Sequence, residues 1–347
     1  MNLDQFFHAR IPVVFWGPPG VGKTAAIEAF CRRRGLKLLV PHVRAAEDIA
    51  VPLRDERGGL RVEPVNEFRE AAAAADGDVV IFLDEITTLP PSVQAAALRF
   101  LDSGRVGSWQ ISPRVWRVAA ANPADQAAGG YDLELPVANR LAHIDWQLEP
   151  MKWAEQFPSY WGNVPQLPDL DPLRWEKARA EVAAFIRSRP ELLLKLPKNE
   201  DKSPAWPSPR TWDFASRVIA AGADETAILA CVGEGAGLEF ASWRRAIDLP
   251  DPENLLKNPE QNIKINRGDV AYAIMSALSA AVVRNPTKNR WTAAWHVIDR
   301  ISEVAGHDVV IAAVKPLAQL RQRHPDWPLP SSQFIQKIGE ILPDVEG

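Results

Sequence analysis

Gly17-Pro-Pro-Gly-Val-Gly-Lys-Thr24 follows directly on the apolar stretch Ile11-Pro-Val-Val-Phe-Trp16. The pattern G-x-x-x-x-G-K-[ST] between a strand and a helix makes a loop whose backbone N–H groups converge on phosphate oxygens. Gly17, Gly20 and Gly22 permit tight curvature and a close approach of the backbone, and Pro18, Pro19 and Val21 complete the loop. Lys23 is expected to reach the β- and γ-phosphates, and Thr24 to offer its hydroxyl to Mg2+. A helix beginning near Gly22 adds its positive N-terminal end to the anion site.

Working outward, residues 79–86 (VVIFLDEI) form an apolar run that ends in two adjacent carboxylates. Such a run suits a parallel strand buried on both faces. Acids at its C-terminal end lie where open α/β sheets bind ligands. Asp84 is the expected Mg2+ partner, direct or through water. Glu85 is placed to orient and deprotonate an attacking water.

The surrounding sequence alternates strand and helix signals. Strands are expected over 13–16, 37–43, 79–83 and 115–121, and helices over 23–34, 71–75 and 92–103, the last stopped by Gly104. That rhythm predicts a three-layer α/β domain with a mainly parallel sheet. Two insertions, 51–65 (VPLRDERGGLRVEPV) and 104–115 (GRVGSWQISPRV), read as hairpins. Trp109 falls at the expected tip of the second.

Beyond residue 150 the texture changes. Residues 157–172 and 196–209 are proline-rich loops, and 248–268 is polar and irregular. Helical spacing marks 173–189, with Trp175, Val182 and Phe185 for one face. Ser208-Pro209 opens another helix, which Gly222 closes. Four more helices are expected at 269–283, 290–304, 308–323 and 331–342. The predicted organisation is therefore a nucleotide-binding domain over 1–150, a linker and all-α lid over 151–267, and a C-terminal helical extension over 268–347.

Composition narrows the function class. The 347 residues are 46% hydrophobic, enough for two cores, and the formal charge of −4 gives no general pull toward nucleic acid or anionic lipid. Cys31 and Cys231 lie far apart without metal-ligand spacing and read as buried thiols of a reducing cytoplasm. The first residues, MNLDQFFHARIP, lack the pattern of a secretory signal. No segment is apolar enough, over about 18 residues, to span a membrane. A cytoplasmic location is expected. The thirteen tryptophans share no spacing and read as core or domain-interface anchors.

Three further motifs discriminate among phosphate-loop proteins. Residues 119–123 (AAANP) put Asn122 at the tip of a strand neighbouring the acidic one. Residues 137–141 (VANRL) precede the strand-like 143–146, and 208–210 (SPR) open a helix in the second half. With GPPGVGKT and residues 82–104 (FLDEITTLPPSVQAAALRFLDSG), these make residues 8–250 resemble an AAA+ ATPase, and more narrowly the MoxR group. The resemblance implies ATP and Mg2+ as cofactors. It makes Asn122 sensor 1, Arg210 sensor 2 and Arg140 the arginine finger, although Arg99, Arg105 and Arg114 could also face a neighbour. It matches the two hairpins to a helix-2 insert and a hairpin before sensor 1. It further implies a homo-oligomeric, hexameric ring that remodels a protein client with a von Willebrand factor A domain partner. The proline-rich segment between Arg140 and Arg210, and the helices after 268, depart from the family pattern, and the resemblance is silent on them.

Two other readings remain open from the sequence. A nucleic-acid motor is disfavoured by the acidic average and by the mixed charge of residues 51–65. A nucleotide-gated switch would bind ATP and seldom hydrolyse it.

Overall fold

Val79–Leu83 is buried at every residue, which a strand achieves only when both faces of its sheet are covered. A computed structural model of the chain describes residues 3–330, apart from 55, 57, 74–77, 124–125, 127–129, 163–164, 166, 198–203, 248, 266 and 307. It divides into two compact units, residues 1–147 and 148–347.

In the first unit the elements follow in order: α1 (Leu3–Ala9), β1 (Val13–Trp16), α2 (Lys23–Arg34), β2 (Lys37–Leu39), β3 (Ala50–Arg54), β4 (Leu60–Pro64), α3 (Asn66–Ala73), β5 (Val79–Leu83), α4 (Pro91–Ser103), β6 (Arg105–Val106), β7 (Trp109–Gln110), β8 (Val115–Ala121), α5 (Leu135–Ala138) and β9 (Ala142–Asp145). Five strands make one all-parallel sheet in the order β2-β5-β8-β1-β9. Alternate residues feed two cores. Val14, Ile81, Leu83, Ala119 and Ala121 pack with Phe68, Phe100 and Leu101. Val13, Phe15, Val80, Phe82 and Val118 pack with Phe7, Ile27 and Phe30. The expected three-layer α/β architecture is what forms.

The register puts the ends of β1 and β8 level and ends β5 two residues short of them. Trp16 lies opposite Ala121 and Leu83 opposite Ala119. From β1 the chain leaves toward β2, whereas from β8 it crosses β1 to reach β9. Neighbouring strands whose connections leave in opposite directions open a crevice at their C-terminal ends.

Both insertions are hairpins, and they touch. The turn of β6–β7 donates Ser108 N–H and Oγ–H to the carbonyl of Val62 on β4, both at 3.2 Å. Gly107 has φ +58°, and a Cβ there would stand 2.1 Å from Val62 O. Only glycine permits this approach. Trp109 is on β7 and 37% exposed; the tip itself is Gly107-Ser108, because the tight turn needs the residue free of Cβ.

Several element bounds differ from the sequence reading. β2 stops at Leu39, where its pairing with Ile81 ends, and Val40 is exposed. The helix expected at 71–75 runs from Asn66 to Ala73, since Phe68 and Ala71 already supply an i, i+3 buried face. Residues 74–77 and the helix expected at 331–342 lie outside the described residues.

The second unit is helical: α6 (Pro150–Gln156), α7 (Pro172–Ser188), α8 (Pro209–Ala220), α9 (Glu225–Val232), α10 (Glu234–Arg245), α11 (Pro252–Lys257), α12 (Gly268–Arg284), α13 (Lys288–Ala305) and α14 (Ile311–Arg323). α12 is buried from Val270 to Val282 and serves two cores. Tyr272 and Ala273 join the cluster of Trp175, Phe185 and Trp212, while Ile274, Met275 and Leu278 join that of Trp291, Val297 and Leu317. The stretch read as irregular over 248–268 contains α11. It is too short to show periodicity, but Asp251 caps it and Leu255 and Leu256 are buried. Its Glu253 pairs with Arg290 and Arg284, and the hydrogen bonds from Arg290 above all hold its carboxyl below the usual range. Among the described residues no helix is long and apolar enough to cross a membrane.

Cys31 is buried, as expected, and Cys231 is only half-buried, because the helix that carries it buries just Ile228 and Val232 fully. Burial, with a smaller push from Glu28, raises the Cys31 thiol to about 11. At pH 8 an alkylating reagent is therefore expected to modify Cys231 slowly and Cys31 only after denaturation, as peptide mass spectrometry would read; equal rates in the native protein would contradict this packing. Gly107→Ala is expected to part the two hairpins and to destabilise the left-handed turn by about 1–2 kcal/mol. Retained hydrogen-exchange protection of the Ser108 amide in that variant would show that the contact tolerates a side chain.

Candidate active site

β1 ends at Trp16, and the chain enters a loop held from two sides. Gly17 N–H donates to Ala121 O at 3.2 Å, tying the loop to the end of β8. Trp146, just past β9, donates its indole N–H to Val21 O at 3.2 Å, and its Cβ would meet a side chain placed on Gly17 at 3.3 Å. Gly20 and Gly22 take φ of 78° and 92°, which suits glycine. Gly22 is the N-cap of α2. That helix has no side-chain cap and no acid in its first turn. Its first N–H groups are thus left for an anion, with the helix dipole behind them.

Lys23 is only 7% exposed. Its Nζ donates to Gly17 O at 2.7 Å, Pro18 O at 2.9 Å and the side-chain Oδ1 of Asn122 at 2.7 Å. Asn122 is itself 4% exposed. The phosphate-loop lysine and the strand-tip asparagine are therefore in direct contact. Thr24 Oγ1 donates to Asp84 Oδ2 at 2.7 Å, and Asp84 Oδ1 accepts from the Glu85 N–H at 3.0 Å. Glu85 sits at φ 54°, ψ 42°, a left-handed conformation uncommon for a non-glycine residue. Thr88 donates both N–H and Oγ–H to Glu85 O at 2.8 Å, which holds that turn. The Glu85 side chain is exposed, and among the described residues no hydrogen bond or ion pair engages its carboxylate.

The donor set fits Mg2+ with a nucleotide. Thr24 and Asp84 present two hard oxygens side by side, and Mg2+ prefers one or two protein oxygens completed by phosphates and water. Among the described residues no cluster of three or more His, Cys, Asp or Glu exists, so the remaining ligands would come from the phosphates and solvent.

Of the other sequence-predicted residues, Arg140 belongs to the first unit and Arg210 to the second. Arg140 follows α5, with its side chain 37% exposed; its Nη1 donates to Pro136 O at 2.6 Å and its Nε lies 3.5 Å from Asp102 Oδ1 at the end of α4. Arg210 is exposed in the first turn of α8, in the second unit, beside a capping box of Ser208 and Thr211. Three residues that sequence reasoning passed over belong to the surroundings of the site. Trp146 braces the loop. Thr87, 1% exposed, donates Oγ–H to Asn122 O at 3.1 Å and accepts from Asn122 N–H at 3.3 Å. His143 accepts from the Trp16 indole at 2.8 Å, and its other ring nitrogen meets Ala138 O at 2.8 Å. The two threonines after Glu85-Ile86 could have drawn attention to Thr87; only the sheet order reveals the other two.

Residues 13–127, from β1 past the end of β8, match the family model described as "ATPase family associated with various cellular activities (AAA)". No curated protein matches the chain. Among solved structures it is similar to RuvB of Thermotoga maritima, a Holliday junction branch migration motor, at 13% identity and a TM-score of 0.36, covering 84% of each chain. Two point variants of that protein match at 13% and 14% identity, both with a TM-score of 0.38, covering 84% of this chain and 86% and 85% of theirs. A likeness this loose carries no argument about function. The first unit thus carries an AAA ATPase domain, which binds ATP with Mg2+ and hydrolyses it.

Thr24→Val is expected to raise the Mg2+ concentration needed for half-maximal ATP binding by roughly tenfold or more. Binding measured without Mg2+ should change little. An unaltered Mg2+ titration would remove Thr24 from the metal site.

Proposed function

We propose that this chain is a ring-forming ATPase of the MoxR type that remodels or activates a protein client. One observation supports the chemistry above all: Lys23, Asn122, Thr24 and Asp84 meet where the loop after β1 faces the ends of β5 and β8. In this reading the loop 17–24 wraps the phosphates through its backbone N–H groups, and Lys23 leaves its carbonyl partners for the β- and γ-phosphates. Thr24 and Asp84 would hold Mg2+, which would neutralise negative charge on the phosphates. Glu85 orients and deprotonates the attacking water, and Asn122 helps place it.

Arg140 is proposed as a finger that reaches the nucleotide of a neighbouring subunit. Its exposed pair with Asp102 is of a kind worth at most about 1 kcal/mol, weak enough for a phosphate to displace. Fingers of this type contribute roughly 10³ to 10⁵ in rate, so an isolated subunit would be almost idle. Arg210 is carried over from the resemblance as sensor 2. The two docked hairpins, with Leu53, Leu60 and Trp109 exposed, are proposed to transmit subunit rotation to the client. A von Willebrand factor A domain protein is the partner expected from the resemblance, and the lid and extension after residue 150 are proposed as the adaptable part.

The test is the solution mass of Glu85→Gln with and without MgATP, since this change spares binding while removing the base. A shift from monomer or dimer to a closed ring of about six is the expected result. An unchanged mass, with ATP binding confirmed by equilibrium dialysis, would mean either that the partner nucleates the ring or that Arg140 does not act across an interface. Negligible turnover of the wild-type ring would favour the nucleotide-gated switch instead.

A further inference from the structure

Gln94 lies in the second turn of α4 and is 0% exposed. A buried carboxamide must have its donors and acceptor satisfied, or it costs more than an apolar side chain of the same shape. Here all its partners are backbone groups of two separate segments. Its Nε2 donates to Leu89 O at 3.0 Å and to Asp132 O at 3.2 Å, and its Oε1 accepts from Glu134 N–H at 3.0 Å. Leu89 closes the turn that follows Asp84 and Glu85. Asp132 and Glu134 lie in the irregular stretch that leads into α5.

The same stretch is tied a second time. Tyr131 N–H donates to Thr87 O at 2.7 Å, and the Thr87 hydroxyl clamps the backbone of Asn122 at both N–H and C=O. One short segment, residues 86–94, therefore holds the asparagine at the tip of β8 and the entry to α5 at once. α5 has only four residues and no side-chain cap, so little of its placement comes from its own hydrogen bonds. Val137 and Leu141 anchor it in the core. Arg140 N–H bonds to Val137 O at 3.1 Å and its guanidinium to Pro136 O at 2.6 Å, so the arginine moves with this helix.

We infer that Gln94 is a positioning residue for ATP hydrolysis: it sets the place of the helix that presents Arg140 relative to the carboxylates and Asn122 of its own subunit. This rests on the reading of Arg140 as the finger. Gln94 touches no nucleotide in this account. It acts through the backbone of residues 132–134, and a hydrolysis step sensed at Asn122 reaches Arg140 through Thr87 and Gln94.

The experiment is a double-mutant cycle on the full chain, at protein concentrations where turnover per subunit no longer rises. Gln94→Leu, Arg140→Ala and the double variant are compared for kcat, for KM and for ATP affinity. Gln94→Leu is expected to lower kcat by about 10²-fold, the scale of a misplacement of about 1 Å. ATP affinity should stay within about twofold, separating placement from binding. The double variant is expected to be no slower than Arg140→Ala alone, because residues acting as one unit are non-additive. If Gln94→Leu does not fold, Gln94→Met replaces it: it keeps the length and adapts to the cavity but has no donor for Leu89 O or Asp132 O, and the same loss of kcat is expected. Losses that multiply in the double variant would overturn the inference while leaving Arg140 as the finger, and so would a Gln94 variant with wild-type kcat. A wild-type kcat in Arg140→Ala would overturn the reading of Arg140 itself.

Discussion

Parallel pairing of β1, β5 and β8 leaves each strand able to bury side chains on both faces, and residues 13–16, 79–83 and 115–121 do so. Because side chains alternate, successive residues of one strand belong to opposite cores, and a slip of one residue would exchange the two sets. Phe82 and Ile81, both 0% exposed, could not trade places without misfitting the aromatic layer around Phe7 and Phe30 or that around Phe68 and Phe100. The register is therefore pinned by packing. Since it is pinned, the loop after Trp16, the acids after Leu83 and Asn122 after Ala121 are carried to one edge, with β8 running two residues past β5. The chemistry at that edge depends on the packing below it.

At the edge, polar groups are partnered with one another. Lys23 is nearly buried, and a charge there must be paired or well hydrogen-bonded. Two loop carbonyls and Asn122 serve it. Thr24 and Asp84 likewise satisfy each other. In the proposed mode of binding, Lys23 would exchange its partners for phosphate oxygens, and Thr24 and Asp84 would exchange each other for the metal. Glu85 differs: its backbone sits in an uncommon conformation and its carboxylate stays exposed. Strain of that kind persists only where neighbours hold it, and the two bonds from Thr88 do so.

The helical unit is built on another rule. α12 is buried almost throughout and lends one side to each of two aromatic cores. α7, packed against it, buries Glu176, Arg179 and Glu181. Arg179 lies 4.6 Å over the Trp175 ring and donates to Pro158 O at 3.0 Å, and burial pulls its guanidinium down to about 10. The charge survives at neutral pH, held by an aromatic face and a carbonyl. Charges so placed are costly unless the surrounding geometry is kept, which ties Pro158 to α7 through Arg179.

Much of this was legible in the chain itself. GPPGVGKT, VVIFLDEI and AAANP each join an apolar run to a polar end, and local backbone chemistry suffices to make a strand that opens into a loop. Helix stops at Gly104 and the start at Ser208-Pro209 follow from the same local rules. The strand of Asn122 was expected beside the acidic one, but spacing could not reveal the rest of the sheet order, because pairing is chosen by burial over the whole sheet. Hence the contact of Lys23 with Asn122, the bracing of the loop by Trp146 and the docking of Gly107 on Val62 were settled only by tertiary structure. The six-residue helix Pro252–Lys257 also escaped the sequence, since fewer than two turns show no period and its stability comes from Leu255, Leu256 and the pairing of Glu253. Sequence by itself determined the phosphate loop, the carboxylates and the layered α/β class, because each rests on residues adjacent in the chain. Tertiary structure decided which distant backbone groups meet, since a buried polar group such as Gln94 finds its partners only once packing has excluded water.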